Sequence, residues 1–223
     1  MATKALLADL TRAYAAQSGV SVEIESVGGV DAAKRVQAGE AFDMVLLASD
    51  AIERLIASGH VQTGSRHDWV RSPVAVAVQA GATRPDLSNE AALKAAVLAS
   101  PTMSYSTGPS GVYLEKLFER WGIAEEVKAR IVVPPPGTPV GALVASGKAA
   151  LGFQQLSELI ALPGIDVLGT LPADVAFITT FSSGIPSSIT NNAPRVEVVK
   201  AFLQFLSSAG VESVKRKQGM HWL

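Results

Sequence analysis

The apolar positions of this chain switch repeatedly between a helical and an extended rhythm. Leu6, Leu10 and Tyr14 fall at i, i+4 and i+8, which predicts a helix over Thr3–Gln17 closed by Gly19. Val20–Val27 alternates apolar and polar residues, as a half-exposed strand does. Gly28-Gly29 lead into a helix at Asp31–Ala38 that stops at Gly39. Phe42–Ala48 is an unbroken apolar run, the pattern of a strand buried on both faces of a parallel sheet. Ser49-Asp50 cap a helix at Ala51–Ala57, and Val74–Val78 is a further apolar strand behind Arg71, Ser72 and Pro73.

The second half continues the alternation. A helix at about Glu90–Leu98, capped by Ser88 or Asn89, precedes an extended approach and the small-residue loop Ser106–Gly111. A helix follows with Leu114, Leu117, Phe118 and Trp121 on one face. Ala129–Val133 reads as a strand, Thr138-Pro139-Val140 as N-cap, first-turn proline and helix, and Ala149–Phe153 as a short buried strand. Leu156–Leu162 is helical, Asp166–Leu168 extended and Ala176–Phe181 a strand. Pro194 opens a long helix at Arg195–Ser207, with Val198, Phe202, Phe205 and Leu206 inward, and a short one closes the chain near Val211–Lys217.

Strands alternating with helices define an α/β class with doubly wound sheets. In such sheets ligands sit beyond the carboxyl ends of the strands, and several of those junctions here are rich in glycine and hydroxyls: Gly28-Gly29, Ser49-Asp50, Ser106–Gly111 and Thr138. A glycine and hydroxyl loop feeding a helix start suits an anion, because the first-turn N–H groups are unpaired and the dipole is positive there. The competing reading of Ser110 is a plain helix cap.

Composition narrows the function classes. With 48% hydrophobic and 17% charged residues, the 223-residue chain can bury a large core, in one domain or in two lobes of about 100 residues. A formal net charge of −1 and no basic block argue against nucleic acid as a partner. No apolar run reaches the ~18 residues a bilayer span needs. The absence of cysteine removes disulfides, thiolate metal sites and a cysteine nucleophile. The start MATKALLADL lacks the pattern of a signal peptide. His60, His67 and His221 have no metal-ligand spacing, and neither a Gly-x-Ser-x-Gly elbow nor a phosphate-binding Gly-x-x-x-x-Gly-Lys-Ser/Thr loop is present. The sequence calls for neither a metal nor another cofactor. Trp69 and Trp121 are read as packing residues.

Four segments together resemble one family. VGGVDAAKRVQAGEAFDMVLLASDAIERLIASGHV is similar to the opening of the molybdate-type periplasmic substrate-binding proteins. STGPSGVYLEKLFERWGI resembles their second-lobe anion loop, SGKAALGFQQLSEL a late strand and helix, and VVKAFLQFLSSAGVESVKRKQGM their closing helices. The resemblance covers nearly the whole chain in order. It implies two α/β lobes joined by two hinge strands, of the type II periplasmic binding kind. Lobe 1 falls at 1–77 and 179–223 and lobe 2 at 78–178. It further implies a monomer in the periplasm that captures a small anion, an oxyanion or a small polycarboxylate, in an interlobe cleft and passes it to the permease of an ABC-type transporter. The family's contacts fall here on Thr3, on Gly29 and Val30, on Ser110 and Gly111, on Thr138, Pro139 and Val140, and on Gln155, and Ser106 of the same loop is a further ligand-binding candidate.

Three departures bear on the ligand. The molybdate binders carry a tyrosine where Gln155 stands, and an amide offers both a donor and an acceptor to a larger, mixed polar ligand. Arg71 and Ser72 precede the first hinge strand, where an arginine can hold a carboxylate bidentately or simply face water. Family members open on a strand ahead of the first helix, and that strand is missing here; without it the first lobe's sheet has an unfilled position and Thr3 is displaced. Some relatives with this fold resemble isomerases of unsaturated tricarboxylates such as aconitate, which need a base, an acid and oxyanion donors. The loops are poor in titratable groups, which favours pure binding, although Glu25, Asp31 and Glu158 flank them.

Overall fold

A computed structural model describes residues 2–135, 137–189 and 191–221. In chain order the elements are α1 (Lys4–Ser18), α2 (Gly29–Gln37), β1 (Val45–Ala48), α3 (Ser49–Ala57), β2 (His67–Gln79), α4 (Glu90–Ala99), β3 (Met103–Tyr105) and α5 (Pro109–Arg120). They continue with α6 (Ala124–Val127), α7 (Val140–Ala145), β4 (Leu151–Gln155), α8 (Leu156–Leu159), β5 (Ile165–Thr170), β6 (Ile178–Gly184), α9 (Ala193–Leu206) and α10 (Glu212–Lys217). The chain divides into two compact units, Met1–Arg71 with Thr180–Leu223, and Ser72–Thr179. It therefore passes between units twice, within β2 and within β6.

In the first unit, β1 runs antiparallel to β6, with Val45 opposite Gly184 and Ala48 opposite Phe181. α1 buries Leu6, Leu10 and Tyr14 as the i, i+4, i+8 spacing demands, and ends at Gly19 with φ of 73°, a left-handed turn that glycine adopts without strain. These residues share a core with Trp69, Val199, Phe202, Leu203 and Leu206. Each such aliphatic side chain, fully buried, contributes about 1.5–3 kcal/mol. Val198, expected inward on α9, is exposed; the buried stripe runs through Val196, Val199, Phe202, Leu203 and Leu206 instead. The helix opens on Asn192, whose Oδ1 accepts from the Arg195 amide at 3.2 Å.

Val20–Val27 forms neither a helix nor a strand, but Val20, Val22 and Ile24 pack on that core, so the predicted alternation is present. No strand pairs with the segment among the described residues, so it lacks the ladder that would make it a strand. β1 begins at Val45, three residues later than the apolar run suggested. Phe42 turns aside to lie under the Arg35 guanidinium, 4.9 Å from its ring centre, and Asp43 forms an ion pair with Arg195. α3 begins at Ser49 itself, after Ala48, with no side-chain cap.

In the second unit, β3 and β4 are parallel, Tyr105 opposite Phe153, and β2 runs antiparallel to both β4 and β5. The sheet is mixed rather than wholly parallel. One face carries Val74, Val76, Val78 and Phe153 against Leu114, Leu117 and Phe118 of α5. The other face carries Ala75 and Ala77 against Leu159 of α8. α7 closes over Gly152, where a Cβ would lie 2.4 Å from a Val144 methyl. The predicted strand at Ala129–Val133 is reduced to a single parallel bridge between Met103 and Ile131, because residues 128–130 take a 3-10 turn. α4 is capped by Asn89, whose Oδ1 accepts from the Ala92 amide at 2.9 Å.

Candidate functional site

The register of the second unit gathers five of the expected contact residues, Ser72, Ser106, Ser110, Gly111 and Gln155, at one edge of its sheet. Val74 faces Gln155 and Tyr105 faces Phe153, so Ser72, the loop after Tyr105 and Gln155 all lie beyond the carboxyl ends of β3 and β4.

The loop after β3 is held by its own small residues. Ser106 Oγ and Ser110 Oγ are 2.8 Å apart, and the Gly111 and Val112 amides both donate to the Gly108 carbonyl. Gly108 is the extended N-cap of α5 and Pro109 its first residue, so Ser110 sits inside the first turn, buried, and does not cap. Gly111 is required by close approach: a Cβ there would lie 1.7 Å from the Ser106 carbonyl oxygen. Ser104, one strand residue earlier, is buried and donates to the Val132 carbonyl at 2.7 Å.

α7 starts one residue later than the sequence suggested. Pro139 occupies its N-cap and Thr138 precedes the helix, with the Thr138 amide bonded to the Pro135 carbonyl. A proline has no side-chain acceptor, so the hydroxyl cap expected of Thr138 is absent. The Val140 side chain is buried in the apolar cluster behind the helix. Any contact it makes with a ligand must therefore come from its backbone.

The junction of β4 and α8 is the polar centre of this edge. Gln154 and Gln155, both buried, end the strand and project to its opposite faces, Gln155 with Val74 and Phe153 and Gln154 with Ala75. Gln155 Nε2 donates to Thr179 Oγ1 at 2.6 Å, while Gln155 Oε1 is buried with no hydrogen-bond partner among the described residues. Gln154 Oε1 accepts from the Gly141 amide at 3.3 Å, and its Nε2 donates to Glu158 Oε2 at 2.8 Å. Burial pushes the Glu158 carboxyl above the ordinary glutamate range. Ser157, in the first turn of α8, lies 3.3 Å from Ser72, hydroxyl to hydroxyl, with both buried.

The candidates in the first unit are placed as follows. Thr3 is the N-cap of α1 without a side-chain cap bond. Gly29 and Val30 are the first residues of α2, after the extended N-cap Gly28, and Val30 is exposed. Arg71 pairs through its main chain with His221, 2.9 Å in each direction, and its exposed side chain makes no hydrogen bond or ion pair among the described residues. No hydrogen bond joins any two of these four among the described residues.

Gln154, Ser157 and Thr179 were not singled out from the sequence. The available signal was the pair of adjacent amides ending an apolar strand: in a strand buried on both faces neither can reach water, so both must find partners. Among the described residues no cluster of three or more His, Asp or Glu side chains could hold a metal ion, and no helix is long and apolar enough to cross a membrane.

Compared with known proteins, residues 1–221 match the family model of bacterial extracellular solute-binding proteins. The chain is 37% identical over 220 residues to an aconitate isomerase from a Pseudomonas species, covering 95% of this chain and 81% of that one. Its structure resembles the periplasmic molybdate-binding protein of Azotobacter vinelandii, with a TM-score of 0.79 at 20% identity, over 99% of this chain and 96% of that one. It also resembles the tungstate-binding protein TupA of Desulfovibrio alaskensis G20, with a TM-score of 0.65 at 16% identity, over 95% and 88%. At these identities the two structural likenesses show a shared fold.

Proposed function

Because the chain belongs to the bacterial extracellular solute-binding proteins and has the type II periplasmic binding fold, we propose that it captures a small polycarboxylate of the aconitate class. In this reading it works as a monomer in the periplasm and hands its ligand to an ABC-type permease. The proposed contacts in the second unit are the Ser106–Gly111 loop, the start of α7 and Gln155; Arg71, Thr3 and the start of α2 are the candidates in the first.

The observation that carries the choice of ligand is the Gln155 amide. One end of it is engaged by Thr179 and the other is buried and unpaired. Leaving such a group unpaired costs about 1–3 kcal/mol, so a ligand that pairs it gains that amount. A bare oxyanion offers acceptors only. A polycarboxylate offers more: like charges on neighbouring carboxylates raise the last proton's pKa, so a carboxyl O–H is available for the amide oxygen. The likeness to an aconitate isomerase agrees with this choice.

The test is a thermal-shift panel of trans-aconitate, cis-aconitate, citrate, molybdate, sulfate and phosphate. A ligand at 100 times its Kd adds about 2.7 kcal/mol, which for a chain of this length is roughly 5–10 °C. Shifts with the tricarboxylates and none with molybdate or sulfate are expected. The reverse pattern would reject the reading.

A second reading, isomerisation of an unsaturated tricarboxylate, is favoured by a specific observation. Glu158 gives this edge the titratable carboxyl that its hydroxyls and amides do not supply. Incubation with trans-aconitate, followed for the cis isomer, distinguishes turnover from capture alone.

A further inference from the structure

We infer that Glu158 is the group that moves the proton in an allylic isomerisation at this site, with Gln154 as its positioning residue. The inference rests on the isomerase reading above.

The argument starts from where the carboxyl is held. Gln155 ends β4, and Glu158 follows it by three residues in the first turn of α8. Gln154 is fixed at both ends, taking the Gly141 amide of α7 on its oxygen and giving its N–H to Glu158. The Glu158 carboxyl is thereby anchored between the end of β4 and the first turn of α7, the helix that opens on Val140 just after Thr138 and Pro139. A rigidly held base is what proton abstraction from carbon needs.

The partner also matters. The other half-buried carboxylates of this unit are tied to arginines, Glu90 to Arg120 and Asp166 to Arg84. Hydrogen bonds from the Trp121 ring N–H and then Arg120 to Glu90, and from the Gly81 amide and then Arg84 to Asp166, hold both below the ordinary range and make them weak bases. Glu158 is bound by a neutral amide, and burial raises it towards the range where a general base works well.

The step balances without a co-reactant. The Glu158 carboxylate takes a proton from the methylene carbon of the substrate. The released C–H pair becomes the new double bond, and the old π pair takes a proton back from the Glu158 carboxyl at the far carbon. One proton leaves and one returns, nothing is oxidised or reduced, and Glu158 ends as a carboxylate.

The experiment uses trans-aconitate as both substrate and ligand, with Glu158→Gln and Glu158→Asp. The wild type should form cis-aconitate, and E158Q should lose about 10²–10⁴-fold in kcat. E158Q should keep a trans-aconitate thermal shift within about 2 °C of the wild-type shift. E158D, which withdraws the carboxyl by one methylene, should lose at least about tenfold in kcat with KM nearly unchanged, and serves if E158Q does not fold. Full turnover in either variant overturns the inference. A wild type that binds trans-aconitate without turning it over also overturns it, while leaving the capture reading intact. A wild type that does not bind at all removes the capture reading itself.

Discussion

Gln155 and Thr179 are joined by a 2.6 Å hydrogen bond, from the last residue of β4 to the last residue of the second unit before the chain leaves it. The first residue of that unit, Ser72, is tied in the same way to Ser157, two residues beyond Gln155. Both points where the chain crosses between units are therefore bonded to one short stretch, 155–157. The residue with the unpaired amide oxygen lies in that stretch, so a ligand that paired it would engage the side chain that holds one of the two crossing points.

Two substitutions separate the roles of this pair. Thr179→Val keeps the shape but leaves the Gln155 N–H buried and unpaired, which should cost about 1–3 kcal/mol of unliganded stability. Gln155→Leu leaves the buried Thr179 hydroxyl without its donor but also removes the unpaired oxygen; the two effects oppose each other, so unliganded stability should change by less than about 1 kcal/mol. It should nevertheless abolish the tricarboxylate-induced thermal shift. Urea unfolding of both variants, with and without citrate, checks this. A Gln155→Leu cost as large as that of Thr179→Val would mark Gln155 as a structural strut.

Gly111 should be the least replaceable residue of the loop. A Cβ 1.7 Å from the Ser106 carbonyl oxygen forces the backbone of the loop or of α5 to move. Gly111→Ala should cost about 3 kcal/mol or more, at the upper end of overpacking effects. Gly108→Ala is the control: φ is −88° and the nearest atom to a Cβ is the Ser106 hydroxyl at 3.8 Å, an ordinary contact. It should stay within about 1 kcal/mol of wild type. Equal midpoints for the two in urea would contradict the geometry.

Much of this was legible in the sequence, and the failures share a cause. The spacing of Leu6, Leu10 and Tyr14, the Gly19 stop and the loop from Ser106 into α5 were readable because local period and glycine chemistry decide them. Val20–Val27 shows the limit. Its alternation is written in the chain, but a strand also needs a neighbour, and pairing is not a local property. Val198 failed similarly: two apolar stripes are possible on α9, and only the packing against α1 and Trp69 selects Val199 and Leu203. At the site, the small residues announced themselves, whereas Thr179 lies 24 residues from Gln155 and meets it only through the fold.

Arg71 tests the ligand class. Its main chain is locked to His221 while its side chain is exposed, so Arg71→Ala should shift the urea midpoint by no more than about 0.5 kcal/mol equivalent. If it grips a carboxylate bidentately, its loss should remove about 1.5–3 kcal/mol of binding, roughly 10- to 150-fold in Kd for trans-aconitate or citrate. Calorimetric titration measures this directly. An unchanged Kd would return Arg71 to the solvated surface.

Glu158 leaves a signature in stability as well as in turnover. Its carboxyl titrates above the ordinary value of 4.5 because burial penalises the charged form. Between 4.5 and the higher folded value the native state holds the proton more tightly than the unfolded chain, so stability falls as pH rises through that window. Below 4.5 both states are neutral at this position and the penalty is absent. Glu158→Gln keeps a neutral group that can still accept from Gln154 at every pH. The variant should therefore melt higher than wild type at pH 8 and converge with it as the pH drops below 4.5. Melting curves of both proteins across that range, without ligand, provide the check. A constant difference at all pH values would show that the carboxyl is no more buried in charge terms than a surface glutamate, and would take away the physical basis for its use as a base.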